Sequence, residues 1–148
     1  MILHRFMSRA EWERLMDGQQ LINESRHKGC RTQSRGFCFT ADEPKVAIQY
    51  LKGNVDTDFC VTMNIPDSML HKTKAIYRDW QHDDVMSHPL PMNADDVPMV
   101  EKTEYCLTRY SRNRVTLLGF TTEYSHLPGI KETQALLQRL GYRPTARL

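Results

Sequence analysis

The run Gly36-Phe37-Cys38-Phe39-Thr40-Ala41-Asp42-Glu43-Pro44-Lys45-Val46-Ala47-Ile48-Gln49-Tyr50 changes its apolar period in the middle. Gly36 to Phe39 is a compact aromatic strand. Thr40 to Glu43 then has the pattern of a capping box, with a hydroxyl at the N-cap and a glutamate three residues on. Val46, Ala47, Tyr50 and Leu51 follow at helical spacing, and Pro44 fits the first turn, where its missing N–H breaks no intrahelical bond. Strand, sharp turn and helix therefore succeed one another without a linker, and Lys52-Gly53-Asn54 ends the helix.

Outward from this run, both flanks mix strands with short helices. Upstream, Ile2 to Phe6 reads as a short strand. Ser8-Arg9-Ala10-Glu11 is a second capping box, in which the Ser8 hydroxyl accepts the Glu11 N–H and the Glu11 carboxylate reaches back to the Ser8 N–H. A helix is expected from Arg9, with Trp12, Leu15 and Met16 on its apolar stripe and Asp17-Gly18 as its stop. Downstream, Asp58 to Ile65 alternates, placing Phe59, Val61, Met63 and Ile65 on one face, and Pro66 closes the strand. Ser68 to Trp80 fits neither period. Gln81 to Pro98, rich in acidic residues and proline, reads as an irregular excursion. Tyr105 to Tyr110 and Val115 to Phe120 read as strands that pair antiparallel across Ser111-Arg112-Asn113-Arg114. Lys131 to Leu140 carries Leu136, Leu137 and Leu140 at helical spacing and stops at Gly141. The expected fold is α+β: a single domain over residues 1–148, mainly antiparallel strands in a split or two-sheet core with short amphipathic helices.

With 148 residues, 40% of them apolar and 26% charged, the chain has the composition of a folded domain rather than of a disordered segment or fibre. Its longest apolar runs, such as Val115 to Phe120, fall far short of the ~20 residues that cross a bilayer. Arg5, Glu11 and Glu13 interrupt the region where a signal peptide needs its apolar run, so no membrane partner and a cytoplasmic location are expected. Cys30, Cys38, Cys60 and Cys106 contain no Cys-x-x-Cys pair and read as thiols of a reducing compartment. The net charge of +2 is too small to imply a polyanionic partner by itself.

Three polar clusters invite chemistry. His82, Asp83, Asp84 and His88 are metal-ligand types, but a histidine pair six apart on a proline-rich stretch shares no helical face, and no metal is expected. Cys30 lies among Arg26, His27, Lys28 and Arg31, cations that lower a thiol pKa, yet no base partner can be named by spacing. The basic run 26–35, with Arg109, Arg112 and Arg114, forms a candidate nucleic-acid surface, although no aromatic residues are interleaved for base stacking.

A fourth constellation is spread along the chain. Leu3-His4-Arg5-Phe6-Met7-Ser8, running into a short helix, resembles the opening strand of ADP-ribosyltransferases, which often read Leu-Tyr-Arg-Gly-x-Ser. The run 36–50 looks like the family's second landmark, and Glu104-Tyr105-Cys106-Leu107 is similar to the late strand that begins with the catalytic glutamate. The three occur in the family's order. The resemblance implies NAD as the substrate and transfer of ADP-ribose to a protein or nucleic-acid acceptor, or to water. It gives Glu104 the catalytic position, stabilising positive charge on the ribose as the nicotinamide leaves. Arg5 would offer its guanidinium fork to the phosphates, Thr40 would support the glutamate and the ribose, and Tyr50 would stack on nicotinamide. The excursion from Gln81 to Glu101 would match the family's variable loop that contacts the acceptor.

Each residue also has an ordinary structural role open to it. Arg5 can pair with a helix carboxylate at the surface, Thr40 can cap a helix, and Tyr50 can be a core aromatic. The chain departs from the family as well. Lys102 stands where arginine-modifying members have the first residue of Glu-x-Glu, Cys38-Phe39-Thr40 stands for their Ser-Thr-Ser, and Phe6 for the glycine after the first-strand arginine. A protein of this fold that has lost catalysis and acts as an interaction or nucleic-acid-binding domain is the alternative expectation.

Overall fold

The structure is a computed structural model describing residues 1–17, 37–52, 54–78, 99–107 and 115–127, together with 135, 138 and 139. Six strands and two helices are defined in it: β1 (Ile2–Met7), α1 (Arg9–Met16), β2 (Phe37–Phe39), α2 (Pro44–Leu51), β3 (Phe59–Asn64), β4 (Leu70–Arg78), β5 (Met99–Leu107) and β6 (Thr116–Thr121). A 3-10 turn, Asp67–Met69, leads into β4.

The strands form two antiparallel three-stranded sheets, ordered β1-β3-β6 and β2-β5-β4. The α+β class with a split sheet is thus the observed one. β3 is central in the first sheet, pairing Arg5 with Val61 on one side and Val61 with Phe120 on the other. β5 is central in the second, pairing Cys38 with Cys106 and Thr73 with Glu104. One bridge joins the sheets among the described residues: the N–H groups of His4 and Thr40 each donate to the other's carbonyl at 2.9 Å. The β2–β5 register of Phe37 with Leu107, Cys38 with Cys106 and Phe39 with Tyr105 would bring Thr40 opposite Glu104 next. Thr40 pairs with His4 instead, so the backbone forks there.

Two apolar clusters fill the interior. One collects Phe6 and Cys60 from the first sheet, Ala75 and Tyr77 from the second, and Ala47, Ile48, Tyr50 and Leu51 from α2. The other collects Leu3, Met7, Phe59, Val61 and Met63 from the first sheet with Phe39 and Leu107 from the second, and Trp12 and Leu15 of α1 pack against it.

Several expectations need correction. β5 and β6 do not pair with each other, because β5 is occupied on both edges and β6 lies against β3. β5 begins at Met99, so the excursion ends earlier than Glu101 and Glu104 lies inside its strand. The Thr40 capping box is not made: α2 starts at Pro44 with Glu43 as its N-cap and no side-chain cap bond. Proline holds the preceding residue extended (Glu43 φ −57°, ψ 145°), which keeps residues 40–43 out of the helix. α2 buries Ile48 rather than Val46, which is exposed. In the first box Ser8 accepts the Glu11 N–H at 3.2 Å, whereas the Glu11 carboxylate turns inward to Arg5. The basic run 26–35, Arg109, Arg112, Arg114 and the His82 to His88 cluster lie outside the described residues. Of the helix expected over 131–140, residues 135, 138 and 139 are described and helical.

Candidate active site

The cleft lies in the fork of the backbone and is lined by His4, Arg5, Phe6, Cys38, Phe39, Thr40, Tyr50, Leu51, Val55 and Glu104. Arg5, Thr40, Tyr50 and Glu104, read from distant segments, therefore share one hollow. Its central cavity measures ≈ 30 Å³, the room of very few waters and far below the ~300 Å³ and more of an enclosed ligand site. A larger ligand has to approach from the open mouth.

Arg5 is 5% exposed and Glu11 1% exposed, so their ion pair is a buried one. Arg5 Nη2 and Nε donate to the same carboxylate oxygen, Glu11 Oε1, at 2.8 and 3.2 Å, and Nη1 donates to the Cys38 carbonyl at 2.8 Å. Burial holds the Glu11 carboxyl pKa above its ordinary value, outweighing the lowering by the Arg5 charge and hydrogen bond. The guanidinium also stands 5.8 Å from the centre of the Phe39 ring. Arg5 thereby ties β1, α1 and β2 together, and a phosphate would have to share it with Glu11.

Thr40 and Tyr50 belong to one hydrogen-bonded set. The Tyr50 hydroxyl donates to Asp42 Oδ2 at 2.7 Å and lies 3.0 Å from Thr40 Oγ1, while Thr40 Oγ1 accepts the Asp42 N–H at 3.1 Å. Since the phenol proton goes to Asp42, the Thr40 hydroxyl supplies the proton of the Thr40–Tyr50 bond. Burial, the largest cause, pushes the Tyr50 pKa up, so the phenol keeps its proton. The Tyr50 ring has the Lys102 ammonium 4.8 Å from its centre and the Tyr77 ring at 5.7 Å. Stacking of nicotinamide on Tyr50, as the resemblance implies, meets Lys102 there.

Glu104 is placed by the period of β5: Lys102, Glu104 and Cys106 point to one face, and Glu104 and Cys106 are buried. Tyr77 of β4 donates its hydroxyl to Glu104 Oε1. Cys38 and Cys106 face each other deeper in the fork, their Sγ atoms 3.5 Å apart.

No family model, curated protein or solved structure matches the chain.

Sequence reasoning missed His4, Glu11, Asp42 and Tyr77. Glu11 was already explained by its capping box. Asp42 and Tyr50 lie eight apart, a spacing that signals nothing by itself. Tyr77 alternates with Ala75 at the end of Lys72-Thr73-Lys74-Ala75-Ile76-Tyr77, a period-2 signal for an inward face that could have found it. Among the described residues no three His, Cys, Asp or Glu side chains gather as a metal site. Nor, among these residues, is any helix long and apolar enough to cross a membrane.

Proposed function

We propose that the protein is an ADP-ribosyltransferase-like enzyme that uses NAD as substrate and passes ADP-ribose to a macromolecular acceptor or to water. The observation that carries this reading is the convergence of Arg5, Thr40, Tyr50 and Glu104 on one cleft. The Glu104 carboxylate is the group suited to stabilise positive charge developing on the ribose, and Tyr77 orients it. Thr40 and the protonated Tyr50 form a fixed polar wall beside it. Because the cavity has room for very few waters, NAD would lie across the open mouth of the cleft. The proposed location is the cytoplasm.

The test is incubation with labelled NAD, alone and with cell extract, scoring nicotinamide release and label transfer. Glu104→Gln should retain NAD binding by calorimetry while turnover falls ~100- to 1000-fold, the scale of losing one electrostatic group from a reacting centre. A second reading is favoured by the engagement of Arg5 with Glu11 and the Cys38 carbonyl: an interaction or nucleic-acid-binding domain of this fold without catalysis. Absence of NAD binding and of nicotinamide release rejects the enzyme in its favour. Nucleic-acid binding would weaken steeply with salt and depend on Arg26, Arg31 and Arg35.

A further inference from the structure

We propose that Lys102 is the internal occupant of a seat for organic cations on the face of Tyr50, and that a ligand carrying a cationic ring enters the cleft by displacing it. Lys102 lies on the inward face of β5, two residues before Glu104 and about 7 Å from it along the strand. Its ammonium stands 4.8 Å from the centre of the Tyr50 ring, within the ~6 Å over which a cation is attracted to the negative face of an aromatic system. Lys102 has no ion pair among the described residues, whereas Lys74 of β4 meets Glu101 at 3.2 Å on the outer face. The Lys102 charge is therefore held by a ring rather than by a carboxylate.

The surroundings suit positive charge. Tyr50 is 3% exposed, with the Tyr77 ring at 5.7 Å and Asp42 accepting its hydroxyl at 2.7 Å. After burial, the charges of Asp42 and Glu104 are among the causes that raise the Tyr50 pKa, so two carboxylates project negative potential onto this ring. They favour a cation there and repel an anion. The residue opposite Lys102 on β4 is Ala75, whose single methyl leaves the space beside Tyr50 to the lysine stem. Since the neighbouring cavity has room for very few waters, the room for a flat ring has to come from the lysine itself. Lys102 is only half-buried, and its flexible stem can swing into solvent, leaving a seat walled by the two tyrosines. On the NAD reading, from which this consequence follows, the seat selects between redox forms. The nicotinamide ring is cationic in NAD and uncharged in NADH, so the oxidised dinucleotide is the one that displaces Lys102.

The experiment follows the Lys102 ε-methylene protons of the full wild-type chain by NMR, assigned by through-bond connection to the backbone. In the free protein they should resonate upfield of the other lysines, shifted by the Tyr50 ring. N-methylpyridinium, a cationic ring without the rest of a dinucleotide, should return them to the common lysine position, while pyridine, uncharged at neutral pH, should leave them in place. NAD should act as the cation does and NADH as pyridine does. Lys102→Ala should bind N-methylpyridinium roughly 10-fold more tightly than the wild type, the scale of one partly desolvated cation–aromatic contact, with a smaller gain for pyridine. Because the titration is read on the wild-type chain, poor folding of Lys102→Ala does not spoil it. Protons at the common position in the free protein, protons that stay shifted while N-methylpyridinium binds, an equal gain for pyridine, or no binding of the cation to either chain overturns the proposal. The two readings fail separately. Displacement by N-methylpyridinium without nicotinamide release from NAD keeps the seat and rejects the enzyme, whereas NAD turnover with Lys102 unmoved keeps the enzyme and rejects the seat.

Discussion

Burying the Arg5 guanidinium removes a charge from water, and it is tolerated there because Glu11 and the Cys38 carbonyl take three of its N–H groups. The consequence is an asymmetry between breaking the pair and replacing it. Glu11→Ala leaves a buried cation beside a carbonyl and should cost ~3–5 kcal/mol in urea unfolding, the range for removing one member of a buried ion pair. Arg5→Met combined with Glu11→Leu should recover most of that loss, since neither residue then carries a buried charge. A loss under ~1 kcal/mol for Glu11→Ala would place the pair among exposed ion pairs and reject its bracing role. His4, one residue away, bears on pH instead. Burial lowers its imidazole pKa, with Glu43 opposing the shift, so the fold favours the neutral ring. Below the ordinary value of 6.5 the unfolded chain takes up the proton first. Stability linked to His4 is therefore full above that value and lost as the pH falls through the folded pKa. Urea titrations across this window should show stability declining on acidification, and His4→Gln should flatten that part of the slope.

α1 adheres to the first sheet chiefly through one ring. Trp12 stacks on Phe59 of β3 with centroids 4.6 Å apart and planes 8° from parallel, and meets Phe120 of β6 at 4.4 Å. Trp12→Ala should cost ~3 kcal/mol in urea unfolding, the lower end for aromatic truncation because the indole is only half-buried. An effect within ~0.5 kcal/mol would mean that Ser8 capping and the Glu11 pair hold α1 without it. This helix and β3 were legible in the sequence because their signals are local: a cap with a stripe at helical spacing, and an alternating run closed by proline. β4 was not, since Lys72 and Lys74 are exposed on its outer face while Ala75 and Tyr77 begin the inward run only late in the strand. The pairing of β5 with β6 was misread for a different reason. A short polar connection favours a hairpin, but strand partners are chosen by burial, and Cys106 and Leu107 bury themselves among the residues of β2. At the site, Arg5, Thr40, Tyr50 and Glu104 were found through a resemblance, whereas Glu11 and Tyr77 depended on which side chains the tertiary fold brings against them.

At the scale of the molecule, the two sheets are coupled more strongly by their cores than by their backbone. The only bridge between them among the described residues is the His4–Thr40 pair. Yet Phe39 and Leu107 of the second sheet are packed with Leu3, Val61 and Met63 of the first, and Phe6 and Cys60 of the first with Ala75 and Tyr77 of the second. The chain order strengthens this sharing: β1 belongs to the first sheet, β2 to the second, β3 to the first, β4 and β5 to the second, and β6 to the first. No continuous segment can form either sheet alone, and opening one uncovers both clusters. Native-state amide exchange should therefore return the same global opening free energy for slow amides in β3 and in β5, the two central strands. The His4 and Thr40 amides, at the mouth of the fork, should open with a smaller free energy, because one two-bond bridge can part while both clusters remain packed. Were β3 and β5 to differ by more than ~1 kcal/mol, the sheets would be separate cooperative units, and the cleft between them would be a hinge rather than a fixed fork.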